Sequence, residues 1–214
     1  MKLFTIAMFD EYKDIIDKYH SSLERNTYKG ITFYISEKFI LLEIGIGKSS
    51  VCYKLSTFLE KYSDFYCISQ VINIGFAGAY GYNLYDIICI DCARFSDFDL
   101  TLMNYELGQM PGSPTYFYTR PISTKMCNYL FSADHFQLTK LSVAHDNNIN
   151  KYLCDMEGAA ILYVMLNYPN INVSVYKIVS DIIDMNNQFD VYETSEKKEG
   201  SRIILQLFDE LYVK

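Results

Sequence analysis

Gln70-Val71-Ile72-Asn73-Ile74-Gly75-Phe76-Ala77-Gly78 is the stretch on which the fold turns. Gln70–Ile74 is a short apolar run with β-branched residues, which is the composition of a buried strand. The glycines that follow leave out side chains where a backbone and a ligand approach closely. The same arrangement recurs upstream. Phe39–Ile44 is a second apolar run, followed by Gly45-Ile46-Gly47-Lys48, and Lys2–Ala7 is a third, followed by Asp10 and Glu11 at a helix start. Strands are predicted at Lys2–Ala7, Ile31–Ser36, Phe39–Ile44, Gln70–Ile74, Asp86–Phe95 and Val173–Val179. Helices are predicted at Glu11–His20, Ser49–Tyr62, Pro121–Tyr129, Glu157–Leu166 and Lys197–Tyr212. In the second of these, Val51, Leu55, Phe58 and Leu59 share one side, the side that packs on a sheet. Strands alternating with helices predict an α/β protein with a central sheet. Ligands of such sheets sit at the carboxyl ends of strands, which is where the glycine pairs and Glu11 fall.

The rest of the composition narrows the function. A chain of 214 residues, half of them hydrophobic and 21% charged, forms one globular domain spanning 1–214 and is not disordered. A net charge of −7 with no basic run disfavours nucleic acid as a partner. The longest apolar run, Gly158 to Leu166, is far short of the roughly 20 residues that cross a bilayer, so no membrane is expected. Asp10 and Glu11 arrive too soon after the N-terminus for a signal peptide, and the six cysteines are expected as buried thiols in a reducing compartment, which makes the chain cytoplasmic. Asp97–Thr119, with Gly108, Pro111, Gly112 and Pro114, is aperiodic and reads as a long functional or interface loop.

Several motifs have two readings. Glu11 is either an acid that complements the helix dipole or a carboxylate placed to activate a water. The glycine pairs match neither a complete dinucleotide fingerprint nor a Walker loop. Asp155-Met156-Glu157-Gly158-Ala159-Ala160 and Ser180-Asp181 are caps by residue type. Convergence separates the readings: Glu11, Glu157 and Asp181 come from distant parts of the chain and all fall at strand ends or helix starts, so one sheet edge can gather them. Cys89-Ile90-Asp91-Cys92 has the spacing of half a metal site but no second pair, and no metal or cofactor is expected.

These pieces, in this order, resemble the bacterial 5′-methylthioadenosine/S-adenosylhomocysteine nucleosidases within the wider purine nucleoside phosphorylase superfamily. The likeness runs almost end to end. It rests on Ala7-Met8-Phe9-Asp10-Glu11, Gly45 to Lys48, Val71 to Gly78, Asp97-Phe98-Asp99-Leu100-Thr101, Gly108-Gln109-Met110-Pro111-Gly112, Phe131-Ser132-Ala133-Asp134-His135-Phe136, Asp155 to Ala160 and Ser180-Asp181. The resemblance implies a nucleoside phosphorylase/hydrolase-like fold, a single domain whose central mixed, twisted sheet is flanked by helices. It implies hydrolysis of an adenine nucleoside carrying a 5′-thioether, with release of adenine and no cofactor. Asp181, held by Ser180, is then the acid that protonates the purine, and Glu11 activates the water. Glu157 binds the ribose hydroxyls with Met156 against the sugar, Phe136 stacks on the base, and the backbone of Gln137 meets its edge. Met8, Phe76, Ala77 and Gly78 complete the set. Ile46 lines the 5′ pocket with Leu100, Met103, Tyr105 and Pro111 of a second subunit, which implies a homodimer; either Phe189 or Tyr192 closes over the 5′ group.

The residue types suit that chemistry independently. Cleaving the bond produces an oxocarbenium-like sugar and a poor leaving group, so an acid on the base side and a carboxylate on the water side lower the same barrier. Phosphorolysis needs an anion site, and the loop after the first strand offers two acids; only Lys48 and Arg94 leave room for phosphate. The chain departs from the family pattern at four positions: Phe76 replaces a small hydroxyl residue, Ser96 a histidine, Gln137 an aliphatic residue and Lys177 an arginine. Futalosine, adenosine or another purine nucleoside, and a nucleoside-binding protein without turnover, are the alternatives these departures leave open.

Overall fold

The computed structural model describes residues 1–119, 127–186, 188–195 and 199–213. In chain order the first half contains β1 (Lys2–Ile6), α1 (Phe9–Tyr19), β2 (Glu24–Tyr28), β3 (Ile31–Ile35), β4 (Phe39–Glu43), α2 (Lys48–Tyr62), β5 (Gln70–Tyr80), β6 (Ile87–Cys89) and β7 (Cys92–Phe95). The second half contains β8 (Phe117–Tyr118), β9 (Tyr129–Ser132), α3 (Ser142–Asp146), β10 (Tyr152–Asp155), α4 (Gly158–Met165), β11 (Asn172–Ile182), α5 (Gln188–Ser195) and α6 (Ser201–Val213).

Alternation along the strands sets the layers. Leu3, Ile40 and Val71 face the side covered by Val51, Leu55, Phe58 and Leu59 of α2 and by Ala160 and Ile161 of α4. Their neighbours Phe4, Leu41 and Ile72 face the other side, under Tyr12 and Ile15 of α1 and Ile204 and Phe208 of α6. Successive side chains of a strand point to opposite faces, so both faces of these central strands are buried and their sequences read as continuous apolar runs.

All eleven described strands join one mixed sheet in the order β2-β3-β4-β1-β5-β10-β9-β7-β8, with β11 pairing β5 and β6. β5 is the branch point: it pairs parallel with β1 through Gln70–Asn73, parallel with β11 along nearly its whole length, and antiparallel with β10 at Gly78–Tyr80. The prediction ended this strand at Ile74, with Gly75 and Gly78 in the loop beyond it. Both glycines are instead inside the strand. A Cβ on Gly78 would stand 2.7 Å from Asp181 Oδ2, so the residue is small because β11 brings a carboxylate against it. Beside it the β5–β11 register slips by one residue, Val179 pairing Ala77 and Asp181 pairing Gly78. The bulge leaves Ser180 and Asp181 both buried at the same point.

Other boundaries also differ. The predicted strand Asp86–Phe95 breaks into β6, on β11, and β7, on β9. Cys89 and Cys92 therefore lie on different strands, and the expectation of buried thiols fails for Cys67 and Cys89, which are exposed. Cys92 is buried, and burial pushes its thiol up to about 12. Of the predicted helix Pro121–Tyr129, residues 121–126 lie outside the described residues, and Tyr129 opens β9. α6 starts at Ser201, and residues 197–198 of the predicted Lys197–Tyr212 helix are likewise not described. The loop Asp97–Thr119 holds only a 3₁₀ turn at Thr101–Met103 and ends in β8. No helix among the described residues is long and apolar enough to cross a membrane.

Candidate active site

Four strand ends, the middle of β5 and the bulge of β11 converge on one cavity of about 130 Å³. From the end of β1 come Ala7, Met8 and, one helical turn later, Glu11; from the loop after β4 comes Ile46. β5 supplies Phe76, Ala77 and Gly78. His135, Phe136 and Gln137 follow β9, Cys154, Asp155, Met156 and Glu157 lie at the end of β10, and Ser180 and Asp181 come from the bulge of β11. Tyr192 of α5 closes the lining. The three acids singled out in the sequence thus meet, as their placement at strand ends predicts.

Local structure fixes each of them. Glu11 Oε2 accepts hydrogen bonds from the backbone N–H groups of Ala7 (3.1 Å) and Met8 (3.0 Å), which pins the carboxylate over the first turn of α1 while the residue stays 4% exposed. Glu157 precedes α4 and its Oε1 accepts the N–H of Gly47 (3.0 Å), whose φ of +86° turns the loop toward it. Burial, reinforced by Asp155, raises Glu157 to about 7, with Lys177 and the Gly47 N–H working against the rise. Asp181 Oδ1 accepts from the Ser180 hydroxyl (2.5 Å) and Oδ2 from Gln188 Nε2 (2.7 Å). Burial nevertheless holds Asp181 above the usual carboxylate range, against the pull of those two donors. A carboxyl group raised in this way is suited to carry a proton.

Lys177 underlies the acids. It is 1% exposed, and its Nζ is 2.8 Å from Asp155 Oδ2. Burial disfavours its charge, but Asp155, Glu157 and Glu11 outweigh burial and hold the ammonium above its ordinary value. Asp155 also accepts from Ser132 Oγ (2.5 Å) and the Gly158 N–H (2.8 Å). The sequence showed Lys177 only as a departure, and Asp155 only as a helix-start acid. Their pairing depends on β11 lying beside β5, a non-local contact no spacing reveals.

The aromatic end of the cavity is equally specific. The Phe136 ring packs edge-on against Phe189 (5.8 Å) and Tyr192 (5.3 Å), so both residues considered for closing the 5′ group sit over Phe136; Tyr192 lines the cavity and Phe189 is 53% exposed. The Gln137 side chain reaches His135 Nε2 (3.2 Å) and the carbonyl of Thr139 (2.5 Å). Phe76 is 9% exposed, belongs to the core cluster that includes Ile74 and Ile178, and is among the residues that line the cavity. Leu100, Met103, Tyr105 and Pro111 are absent from this chain's own lining; Met103 is 63% exposed and the adjacent Leu102 fully so. Neither basic candidate for phosphate reaches the cavity. Lys48 pairs with Asp97 and Asp134, while Arg94 donates to the Tyr116 hydroxyl (3.0 Å) and lies over its ring.

A family model described as the phosphorylase superfamily matches residues 3–207. The chain belongs to the phosphorylase superfamily. Within that superfamily it is 28% identical, over 99% of its length and 100% of the other's, to a 5′-methylthioadenosine/S-adenosylhomocysteine nucleosidase of Psychromonas ingrahamii. In fold it is similar to a Borrelia burgdorferi protein described as such a nucleosidase and crystallised with adenine, with a TM-score of 0.82 at 21% identity and full coverage of both chains. It is similar also to a futalosine hydrolase of Helicobacter pylori, with a TM-score of 0.80 at 18% identity over 98% of each chain. The central mixed sheet flanked by helices is thus the fold of this superfamily member from end to end.

Proposed function

We propose that the chain hydrolyses the N-glycosidic bond of 5′-methylthioadenosine and S-adenosylhomocysteine, releasing adenine. The observation that carries the reading is a single cavity holding a carboxyl group that burial raises above its ordinary value, Asp181, together with a backbone-anchored carboxylate, Glu11, and a third acid, Glu157. In the reaction Asp181 gives its proton to purine N7 as the bond from the anomeric carbon to N9 breaks and its electron pair leaves with the base. Glu11 takes a proton from water as the water oxygen bonds to that carbon. Glu157 and Met156 hold the sugar, Phe136 stacks on the base and the Gln137 backbone meets its edge. A positioned acid of this kind is worth ~10²–10⁴-fold in rate.

Water is favoured over phosphate because, among the described residues, the cavity lining includes no lysine or arginine, and the two basic candidates are engaged elsewhere. The exposed Met103, with Leu100, Tyr105 and Pro111, is offered to a second copy of the chain, whose 5′ pocket it would complete beside Ile46; the homodimer is part of this reading, as is a cytoplasmic setting in which the thiols stay reduced. Phe76 in the lining favours a second reading, the same reaction on another purine nucleoside such as futalosine or adenosine.

Adenine release from the two thioether nucleosides, with and without added phosphate, tests the proposal. Release independent of phosphate is expected. Binding without release, or a product only from other nucleosides in a kcat/KM panel, overturns it.

A further inference from the structure

Gln188 stands where the base would make its most discriminating contacts. It opens α5 and is 4% exposed, and its Nε2 donates to two lining residues at once, 2.8 Å to the backbone carbonyl of Gln137 and 2.7 Å to Asp181 Oδ2. Its own Oε1 is buried without a hydrogen-bond partner among the described residues. One amide nitrogen with two hydrogens thus satisfies two acceptors, at the cost of an orphaned oxygen. An exocyclic amino group on C6 of a purine has the same donor complement, and it lies beside N7 on the same edge of the base. A base whose N7 faces Asp181 and whose edge meets the Gln137 backbone therefore brings its amino group to the position Gln188 Nε2 now fills.

We infer that Gln188 is a specificity-determining residue that holds the amino-group position and must release both acceptors before a 6-aminopurine docks. The inference rests on the placement of the base proposed above. The buried, unpartnered Oε1 makes the held state an imperfect one, so a ligand offering the same two hydrogens displaces it readily. Purine itself, which lacks the amino group, leaves Gln188 in place.

Calorimetric binding of adenine and of unsubstituted purine to the full chain and to Gln188→Ala tests this. The variant should bind adenine about fivefold tighter or more, the gain expected from removing a competitor that makes two hydrogen bonds, with purine unchanged within about twofold. A role confined to supporting α5 would instead weaken both ligands. Adenine binding that is equal or weaker in the variant, or purine tightened as much as adenine, overturns the inference while leaving the site reading intact. Failure of the unaltered chain to bind adenine overturns the site reading itself. Should the variant not fold, a crystal structure of the unaltered chain with adenine decides: Gln188 Nε2 beyond hydrogen-bond distance of both oxygens supports the inference, and retention of both bonds refutes it.

Discussion

Replacing Lys177 by methionine removes the ammonium from a buried group of acids and leaves its volume nearly unchanged. Lys177 is 1% exposed, while Asp155, Glu157 and Glu11 are 9%, 8% and 4% exposed. Breaking a buried ion pair by deleting one partner costs about 3–5 kcal/mol, because the remaining charge stays buried without compensation. For a chain of 214 residues each kcal/mol shifts Tm by roughly 2–4 °C, so Lys177→Met should melt about 6–20 °C lower at pH 8. The loss should shrink at pH 5. Glu157 already sits at about 7, raised by burial and Asp155 and restrained by Lys177, and without Lys177 it rises further. A carboxyl whose folded value exceeds its unfolded value of about 4.3 binds more protons folded than unfolded between the two, so stability falls as pH rises through that window. Calorimetric unfolding of both proteins at pH 5 and pH 8 measures the difference. Lys177→Arg, which keeps the charge, should lose less than half as much. A Tm deficit equal at both pH values, or larger at pH 5, would refute the electrostatic reasoning.

Asp181→Asn should lower kcat for adenine release by ~10²–10⁴-fold while adenine binding persists, since the amide cannot supply a proton; a loss under tenfold in a steady-state assay removes Asp181 from the acid role. With Glu157 at about 7 and needed ionised to hold the ribose hydroxyls, kcat/KM should fall up to tenfold per pH unit below about 7, and Glu157→Gln should be slower throughout but lack that limb. Met103→Asp should shift sedimentation from dimer to monomer and raise KM for the thioether nucleosides more than for adenosine; an unchanged sedimentation coefficient contradicts the shared 5′ pocket.

The apolar strands were legible because burial on both faces writes itself as unbroken runs, as in Phe39–Glu43 and the first half of β5. The face of α2 was legible from the spacing of Val51, Leu55, Phe58 and Leu59. β2, whose residues Glu24–Tyr28 are mostly exposed and polar, carries no such signal, and β9 and β10 are four residues each, too short for a period to emerge. In the site, Glu11, Glu157 and Asp181 stood out because acids at strand ends are visible one by one. The bulge at Ser180, the Lys177–Asp155 pair and the bridge from Gln188 were not, since each depends on which strand or helix lies beside which. The glycine at position 78 held a trace of the bulge: a residue without a Cβ inside a strand signals a close approach, here by Asp181.

The central claim is that one nucleoside fits between Asp181 and Glu11. Its most direct test is a crystal structure of the Asp181→Asn chain with 5′-methylthioadenosine. The account predicts the substituted side chain facing purine N7, the base on Phe136, and Glu11 within one water of the anomeric carbon on the opposite side of the sugar. A nucleoside bound outside the cavity, or seated with both residues on the same side of the sugar, would contradict it.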